Sequence, residues 1–254
     1  MTRESLLAIE MVTLFPEVVR TALGMGVVGR ALERGLVRVG TEDPRAHTYD
    51  VHRSVDDRPY GGGPGMVMTV EPLAAAIAAA AARLPAGSPR IYLSAQGRRF
   101  DQAAARRLAG LPGFLLLAGR YEGVDERLIA ESIDEEWSIG DYVLSGGELA
   151  GLVVIDATVR LLPGVLGDAE SAVQESFAAE SGWLDWPHYT RPETWHGRSV
   201  PEALRSGDHA LIRRWRLKQS LGRTFERRPD LLAEKQLNSE EQRLLDEYRE
   251  ERKL

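Results

Sequence analysis

The stretch Phe114-Leu-Leu-Leu-Ala118, followed at once by Gly119-Arg-Tyr-Glu-Gly123, decides the fold class. An uninterrupted apolar run of this kind is typical of a β-strand that is covered on both faces, as in parallel sheets. The polar, glycine-containing segment directly after it stands where an open α/β sheet places its ligand. The sequence therefore predicts a central parallel strand that ends in a binding loop.

The same alternation of strand and helix extends along most of the chain. Apolar strand-like runs occur at 8–14, 90–94 and 135–139. Helical patterns occur at 16–23, 72–84, 101–109, 124–132 and 148–162. Strands that alternate with helices indicate an α/β domain built on a parallel sheet.

The pattern changes after Pro163, and this change predicts the domain organisation. A stretch rich in Gly, Ser, Ala and Asp comes first, and residues 200–252 are polar and helical. We expect an α/β domain over 1–166, an interdomain linker over 167–190 and a small all-helical C-terminal domain over 191–254.

Composition excludes several classes of protein. The chain has no cysteine, which excludes disulfides, thiolate catalysis and cysteine-ligated metals. Its five scattered histidines make no metal-binding pair, so we expect no structural metal site. It has no apolar run near the ~20 residues that span a membrane and no signal-peptide pattern, so we expect a cytoplasmic protein without membrane contact.

Charge is distributed unevenly along the chain. The net charge is −6, yet residues 205–228 contain eight basic and two acidic residues, a local net charge of +6. On a helical pattern this is a footprint suited to phosphates, or alternatively a solvated helix face. Trp215 and Phe225 within the run could stack on bases or belong to a core.

A second glycine-rich stretch runs from Trp137 to Glu148 and contains Gly140, Gly146 and Gly147. Six carboxylates and no Lys or Arg lie between Glu131 and Glu148. The stretch is either a tight hairpin beside the sheet or a ligand-binding loop. Because the turns at 93–97, 118–123 and 138–147 each follow a predicted strand, we expect them to line one crevice.

Two other glycine patterns leave alternatives open. Gly24-x-Gly26-x-x-Gly29 matches the dinucleotide fingerprint but follows a helical pattern, so we interpret it as a loop. A nucleotide-binding oxidoreductase remains the alternative that this match suggests. Gly61-Gly-Gly-Pro-Gly65 is either a flexible surface loop or a mobile loop that folds over a ligand.

Motifs in order over nearly the whole chain resemble the bacterial tRNA (guanine-N1)-methyltransferase family of the SPOUT superfamily. They are Arg58-Pro-Tyr-Gly-Gly-Gly-Pro-Gly-Met, Leu93-Ser-x-Gln-Gly, Gly119-Arg-Tyr-Glu-Gly, Ser138-Ile-Gly-Asp-Tyr-Val-Leu-Ser-Gly-Gly-Glu, Pro163-Gly-Val-Leu-Gly and His188-Tyr-Thr-Arg-Pro. The resemblance implies a SPOUT-type α/β fold with a C-terminal trefoil knot in its parallel sheet, and a homodimer. The chain departs from the family at Ala95 and Ala150, where proline is frequent.

The resemblance implies that S-adenosylmethionine is the methyl donor. Its binding residues would then be Leu93, Ser94, Ala95, Gly119, Tyr121, Glu122, Gly123, Ser138, Ile139, Gly140, Asp141, Tyr142, Val143, Leu144, Gly146 and Gly147. The family is also reported to need Mg²⁺, and no residue cluster in the sequence identifies its ligands.

The resemblance also implies the reaction, which is methylation of N1 of the tRNA guanine at position 37. Glu175 stands where the family has its general base, with Asp168 or Glu170 as alternatives, and Arg160 matches the arginine that stabilises O6. The basic run 205–228 would hold the anticodon arm by its phosphates. We expect 167–182 to be mobile until tRNA binds. A non-catalytic RNA-binding module is a further alternative.

Overall fold

The computed structural model describes residues 6–167, 175–177, 182–233 and 235–253. The chain divides into two compact units, Met1–Ala169 and Glu170–Leu254. Among the described residues, no helix has the length and apolar character needed to cross a membrane.

The first unit has an α/β fold with a five-stranded parallel sheet, as the sequence predicts. Its strands are β1 (Leu7–Val12), β2 (Val37–Glu42), β3 (Asp56–Asp57), β4 (Val67–Met68), β5 (Arg90–Arg99), β6 (Gly113–Ala118) and β7 (Glu135–Ser138). Its helices are α1 (Pro16–Leu23), α2 (Gly26–Glu33), α3 (Val70–Ala81), α4 (Gln102–Ala109), α5 (Glu126–Ser132) and α6 (Glu148–Val159), with a 3₁₀ turn at Pro44–His47. The sheet order is β2-β1-β6-β5-β7, and β3 pairs with β4 separately.

The central strand β6 is buried on both faces, which explains its continuous apolar run. Phe114 and Leu116 pack on one side of the sheet with α1, α2, α4 and α6. Leu115 and Leu117 pack on the other side with α3 and α5. Alternate side chains of a strand point to opposite faces, so each side of the sheet has its own core. Full burial of one such side chain contributes about 1.5–3 kcal/mol.

Local sequence signals set the starts of two helices on these faces. The Asp101 carboxylate accepts a hydrogen bond from the Ala104 amide at 2.8 Å and caps α4. Asp125 does the same for α5 through the Arg127 amide at 3.0 Å. Such caps satisfy N–H groups that have no partner within the helix.

Strand β5 is longer than the sequence predicts. We expected a turn at 93–97, but the strand continues to Arg99 through an irregularity in its pairing with β7 between Leu93 and Arg98. Gly97 allows this path, because a Cβ there would lie 2.5 Å from the Glu136 carbonyl carbon. The prediction of a turn was therefore wrong, and Leu93, Ser94 and Ala95 belong to a strand that passes beside β7.

The Gly24–Gly29 segment joins two helices. Gly24 caps the end of α1, and α2 begins at Gly26. The expectation of a loop was wrong in part, because Gly29 is helical and packs so tightly that a Cβ would lie 2.6 Å from the Gly24 carbonyl oxygen. A dinucleotide fingerprint needs a strand directly before its glycines, whereas helix α1 stands directly before them here.

The second unit contains mainly helices. These are α7 (Glu202–Arg205), α8 (His209–Arg227), α9 (Pro229–Ala233) and α10 (Ser239–Arg252). Leu221 on α8 packs with Leu244 and Leu245 on α10 and with Trp183. Asn238 starts α10 with a capping box that it shares with Glu241.

A short hairpin corrects the expectation that this unit is all-helical. Strands β8 (Thr194–Trp195) and β9 (Arg198–Ser199) pair in antiparallel fashion. Between them His196 and Gly197 both have positive φ, at 47° and 75°. Two residues of positive φ are the signature of a tight hairpin turn whose twist matches that of its strands.

Candidate functional site

A cavity in the first unit lies at the carboxyl ends of the strands β6 and β7 and beside the middle of β5. Three segments line it, namely residues 92–96 of β5, the 119–123 loop after β6 and the 138–147 loop after β7. Parallel strands bring their following loops to one edge of the sheet. The crevice that the sequence predicts is therefore present.

The cavity gathers nearly all of the residues proposed to hold the cofactor. Leu93, Ser94, Ala95, Gly119, Tyr121, Glu122, Gly123, Ser138, Ile139, Gly140, Tyr142, Val143, Leu144, Gly146 and Gly147 line it. Asp141, the remaining residue of the proposed set, is not among the lining residues.

Five further residues line the cavity beyond the proposed set. They are Tyr92, Gln96, Arg120, Trp137 and Ala150. Four of them adjoin an assigned residue directly in the sequence, and Ala150 lies three residues after Gly147 on α6. Gln96 and Arg120 stand within the motifs, and the other three residues lie beside or just after one, so position relative to the motifs was the signal that could have found them.

Main-chain hydrogen bonds tie two of the lining segments together. The Gly147 amide donates to the Gly119 carbonyl at 2.9 Å, and Arg120 and Gly146 form an isolated antiparallel bridge. Within the 138–147 loop, the Ser138 hydroxyl donates to the Gly140 carbonyl at 3.0 Å. Both loops therefore offer a fixed arrangement of backbone groups to a polar heterocycle.

The glycine-rich segment 61–65 is exposed and is anchored at one end to the cavity. The Glu122 amide donates to the Met66 carbonyl at 2.9 Å, and the Met68 amide donates to the Gly123 carbonyl at 2.9 Å. These two bonds place the end of the segment beside the 119–123 loop.

Two tyrosines of the cavity remain neutral at physiological pH. Burial raises the pKa of the Tyr92 hydroxyl, and the nearby Glu136 raises it further. Burial also raises the pKa of Tyr121, and Asp56 adds to this by its charge and a hydrogen bond. Since a tyrosine above its usual pKa of ~10 keeps its proton, both hydroxyls are protonated, and that of Tyr121 is donated to Asp56.

The proposed catalytic residues lie in different units. Arg160 forms the C-terminal end of α6 in the first unit and is half-buried. Glu175 is half-buried in the second unit, within the short segment 175–177. The alternatives Asp168 and Glu170, and most of the 167–182 segment expected to be mobile, lie outside the described residues.

The basic run coincides with α8, and several of its charges have partners. Arg214 pairs with Glu247 at 2.6 Å and Lys218 with Glu251 at 2.6 Å, both on α10. The Arg216 guanidinium lies 4.6 Å from the Trp186 ring centroid. The surface that could meet phosphates is thus narrower than the count of basic residues suggests. In the part of the chain that the structure describes, no group of three or more His, Cys, Asp or Glu residues could hold a metal ion.

Comparison with known proteins agrees with the resemblance. A profile of the family described as tRNA (Guanine-1)-methyltransferase TrmD matches residues 7–234. A protein of Methylococcus capsulatus named tRNA (guanine-N(1)-)-methyltransferase is 62% identical, over 96% of this chain and 97% of its own length. Proteins of the same name from Alcanivorax borkumensis and Hahella chejuensis are 58% and 56% identical, and cover 98% and 94% of this chain and 95% and 92% of their own lengths. The chain belongs to the tRNA (guanine-1)-methyltransferase TrmD family.

Proposed function

We propose that this chain transfers a methyl group from S-adenosylmethionine to N1 of the guanine at position 37 of tRNA. The observation that carries the proposal is the cavity beside β5 at the ends of β6 and β7, which gathers three separate family motifs. Family membership supplies the reaction class, and the cavity supplies a place for the methyl donor.

The lining of the cavity fits S-adenosylmethionine. Backbone groups of the 119–123 and 138–147 loops suit the polar edge of the adenine, and Tyr142, Val143 and Leu144 offer an apolar wall. The carboxylate of Glu122 suits a donor that carries a positive sulfonium and an ammonium group. The bound donor supplies an electrophilic methyl group.

The acceptor nitrogen needs a base, because N1 of neutral guanine carries a proton. We assign this role to Glu175, which takes the proton as the N1 electron pair forms the bond to the methyl carbon. The bond between carbon and sulfur breaks, its electrons stay on sulfur, and S-adenosylhomocysteine leaves. Negative charge develops on guanine O6 as the proton leaves, and we assign its stabilisation to the guanidinium of Arg160.

The exposed face of α6 supports the proposal that the enzyme is a homodimer. Leu149 and Val153 on this face are 59% and 47% exposed, and Arg160 follows two turns after Val153. A helix normally directs charged residues outward, so an apolar face of this kind is suited to a second copy. In such a dimer Arg160 would lie at the edge of the interface.

The trefoil knot belongs to the same proposal. Its support is the return of the chain after β7 against the loop after β6, through the contacts of Gly147 with Gly119 and of Gly146 with Arg120. The helices of the second unit would hold the anticodon arm. A requirement for Mg²⁺ and a cytoplasmic location remain expectations that follow from the resemblance and the substrate.

Methyl transfer to a tRNA transcript from labelled S-adenosylmethionine tests this function. Glu175→Gln and Arg160→Ala should each lower kcat by about 10²–10⁴, because each removes a group that acts in the transition state. Affinity for tRNA should stay within about threefold of wild type, as for Glu33→Gln, a control exposed on α2 of the first unit. Unchanged kcat in both variants would refute the assigned roles.

Ligand binding separates the remaining alternatives. Titration with S-adenosylmethionine should release heat and raise Tm, and NAD should do neither. Binding of NAD alone would favour the oxidoreductase alternative. Binding of tRNA without any methyl transfer would favour the non-catalytic RNA-binding module.

A further inference from the structure

Glu148, the last residue of the Ser-Gly-Gly-Glu motif, is a buried carboxylate that the proposed chemistry does not use. It is 2% exposed and begins α6 at the rim of the cavity. Its Oε1 accepts a hydrogen bond from the Thr13 hydroxyl at 2.9 Å. Its Oε2 accepts one from the Arg120 Nε at 2.9 Å.

These contacts form a closed ring of four residues. The Thr13 hydroxyl that donates to Glu148 also accepts from the Phe15 amide at 3.0 Å. The Arg120 guanidinium lies over the Phe15 ring, 4.4 Å from its centroid, and donates to the Ser145 carbonyl at 3.1 Å. The ring joins the end of β1, the loop after β6 and the loop before α6.

The two glycines before Glu148 make this ring possible. A Cβ at Gly146 would overlap the Arg120 side chain, and a Cβ at Gly147 would lie 2.7 Å from the Ala118 Cα. Each residue of the Gly-Gly-Glu motif therefore meets the Ala118–Arg120 segment. Its conspicuous carboxylate contacts Arg120 and Thr13 instead of serving as a base.

The charge of the pair matters as much as its position. Arg120 lines the cavity, and the proposed donor carries a positive sulfonium beside the methyl group. An unpaired guanidinium in the cavity wall would repel that cation. The Glu148 carboxylate neutralises Arg120 from the side that faces the protein core.

We propose that Glu148 is a positioning residue that acts through Arg120. It holds the 119–123 and 138–147 loops together and keeps Arg120 neutralised, so that the cavity accepts a cationic methyl donor. The inference rests on the proposed function, because it concerns binding of the same donor. It is independent of Glu175 and Arg160.

Titration calorimetry of the full chain with S-adenosylmethionine and S-adenosylhomocysteine tests this role. The two ligands share all groups except the methyl, and only the first has a sulfonium charge. Glu148→Gln should raise the Kd of S-adenosylmethionine about tenfold, equivalent to about 1.4 kcal/mol, and that of S-adenosylhomocysteine by less than about threefold. Glu10→Gln is the matched control, since Glu10 is also a buried carboxylate paired with arginine, here Arg38 and Arg83, and does not line the cavity.

Two more variants separate charge from position. Arg120→Gln combined with Glu148→Gln should restore the wild-type ratio of the two Kd values. Thr13→Val keeps both charges and should raise both Kd values about threefold, with the KM for tRNA unchanged. If Glu148→Gln does not fold, Thr13→Val still tests whether this hydrogen-bonded ring fixes the 119–123 and 138–147 loops.

The outcomes are distinct. Equal weakening of both ligands by Glu148→Gln overturns the role of charge. No effect of either single variant beyond that of Glu10→Gln overturns the positioning role. Failure of the wild-type chain to bind S-adenosylmethionine would count against the proposed function itself.

Discussion

The two units use the same kind of ion pair in opposite ways. In the first unit, the Glu148 and Arg120 side chains are 3% and 25% exposed, and their pair closes a ring beside the cavity. In the second unit, Arg214 and Glu247 are 40% and 33% exposed and bridge α8 to α10 at the surface. A buried pair loses much when one partner is removed, whereas an exposed pair competes with water and contributes little.

This difference between buried and exposed pairs matters for binding of the two substrates of the proposed reaction, S-adenosylmethionine and tRNA. A rigid, fully paired network can shape a cavity for a small donor. An exposed pair on α8 can exchange its carboxylate for an RNA phosphate without leaving a buried charge behind. The fold thus places its fixed charges at the cavity and its exchangeable charges on the long basic helix.

The largest expected effect is on stability. Glu148→Ala should lower the free energy of unfolding by about 2–4 kcal/mol, because it leaves Arg120 and the Thr13 hydroxyl without their buried acceptor. Glu247→Ala, the matched change in the exposed pair, should cost less than about 1 kcal/mol. Urea denaturation of both variants measures these losses. Equal losses of unfolding free energy would contradict the distinction between the buried and the exposed pair.

The next effect concerns binding of tRNA by α8. Arg213 is exposed on this helix, and Arg213→Ala should weaken binding about two- to fivefold and reduce the slope of log K against log salt by about 0.7–0.9. Arg30→Ala, at an exposed position of α2 in the first unit, is the control. A slope that stays the same in Arg213→Ala would show that α8 does not meet phosphates.

A smaller effect of opposite sign is expected from Glu247→Gln. Removing the carboxylate that pairs with Arg214 leaves this arginine more available to RNA. Affinity for tRNA should rise about twofold at low salt and return to the wild-type value at high salt. A loss of affinity would indicate that Glu247 orients Arg214 and does not compete with phosphate.

The smallest effect is on the pH dependence of stability at an exposed pair of the first unit. The hydrogen bonds from Arg90 lower the pKa of Asp134 in the folded state. Because the folded pKa is depressed, the stabilisation is present above the unfolded value of ~3.9 and is lost as pH falls through the folded value. Asp134→Asn should therefore cost less than about 1 kcal/mol at pH 7 and nothing near pH 2, by urea denaturation.

The sequence predicted two of the three lining segments well because the loops 119–123 and 138–147 follow β6 and β7 directly. Phe114–Ala118 indicated the central strand, and the polar residues after it indicated the loop. The long β5 was missed, since the close approach of Gly97 to β7 is a tertiary contact that no local pattern reveals.

The hydrogen-bonded and charged pairs could not be predicted from the sequence either, because they too are tertiary contacts. Thr13 and Glu148 are 135 residues apart, and Lys218 and Glu251 are 33 apart. Only the packed strands and helices bring such partners together. By contrast, the His196-Gly197 turn is local, and a reading of hairpin signals in the sequence would have found it.

The most direct test of the account is mass spectrometric mapping of a tRNA transcript after incubation with the chain and S-adenosylmethionine. The account predicts one added methyl group, on N1 of guanine 37, and none in a transcript that has adenine at that position. Methylation at another nucleotide, or no methylation by a chain that binds both S-adenosylmethionine and tRNA, would contradict it.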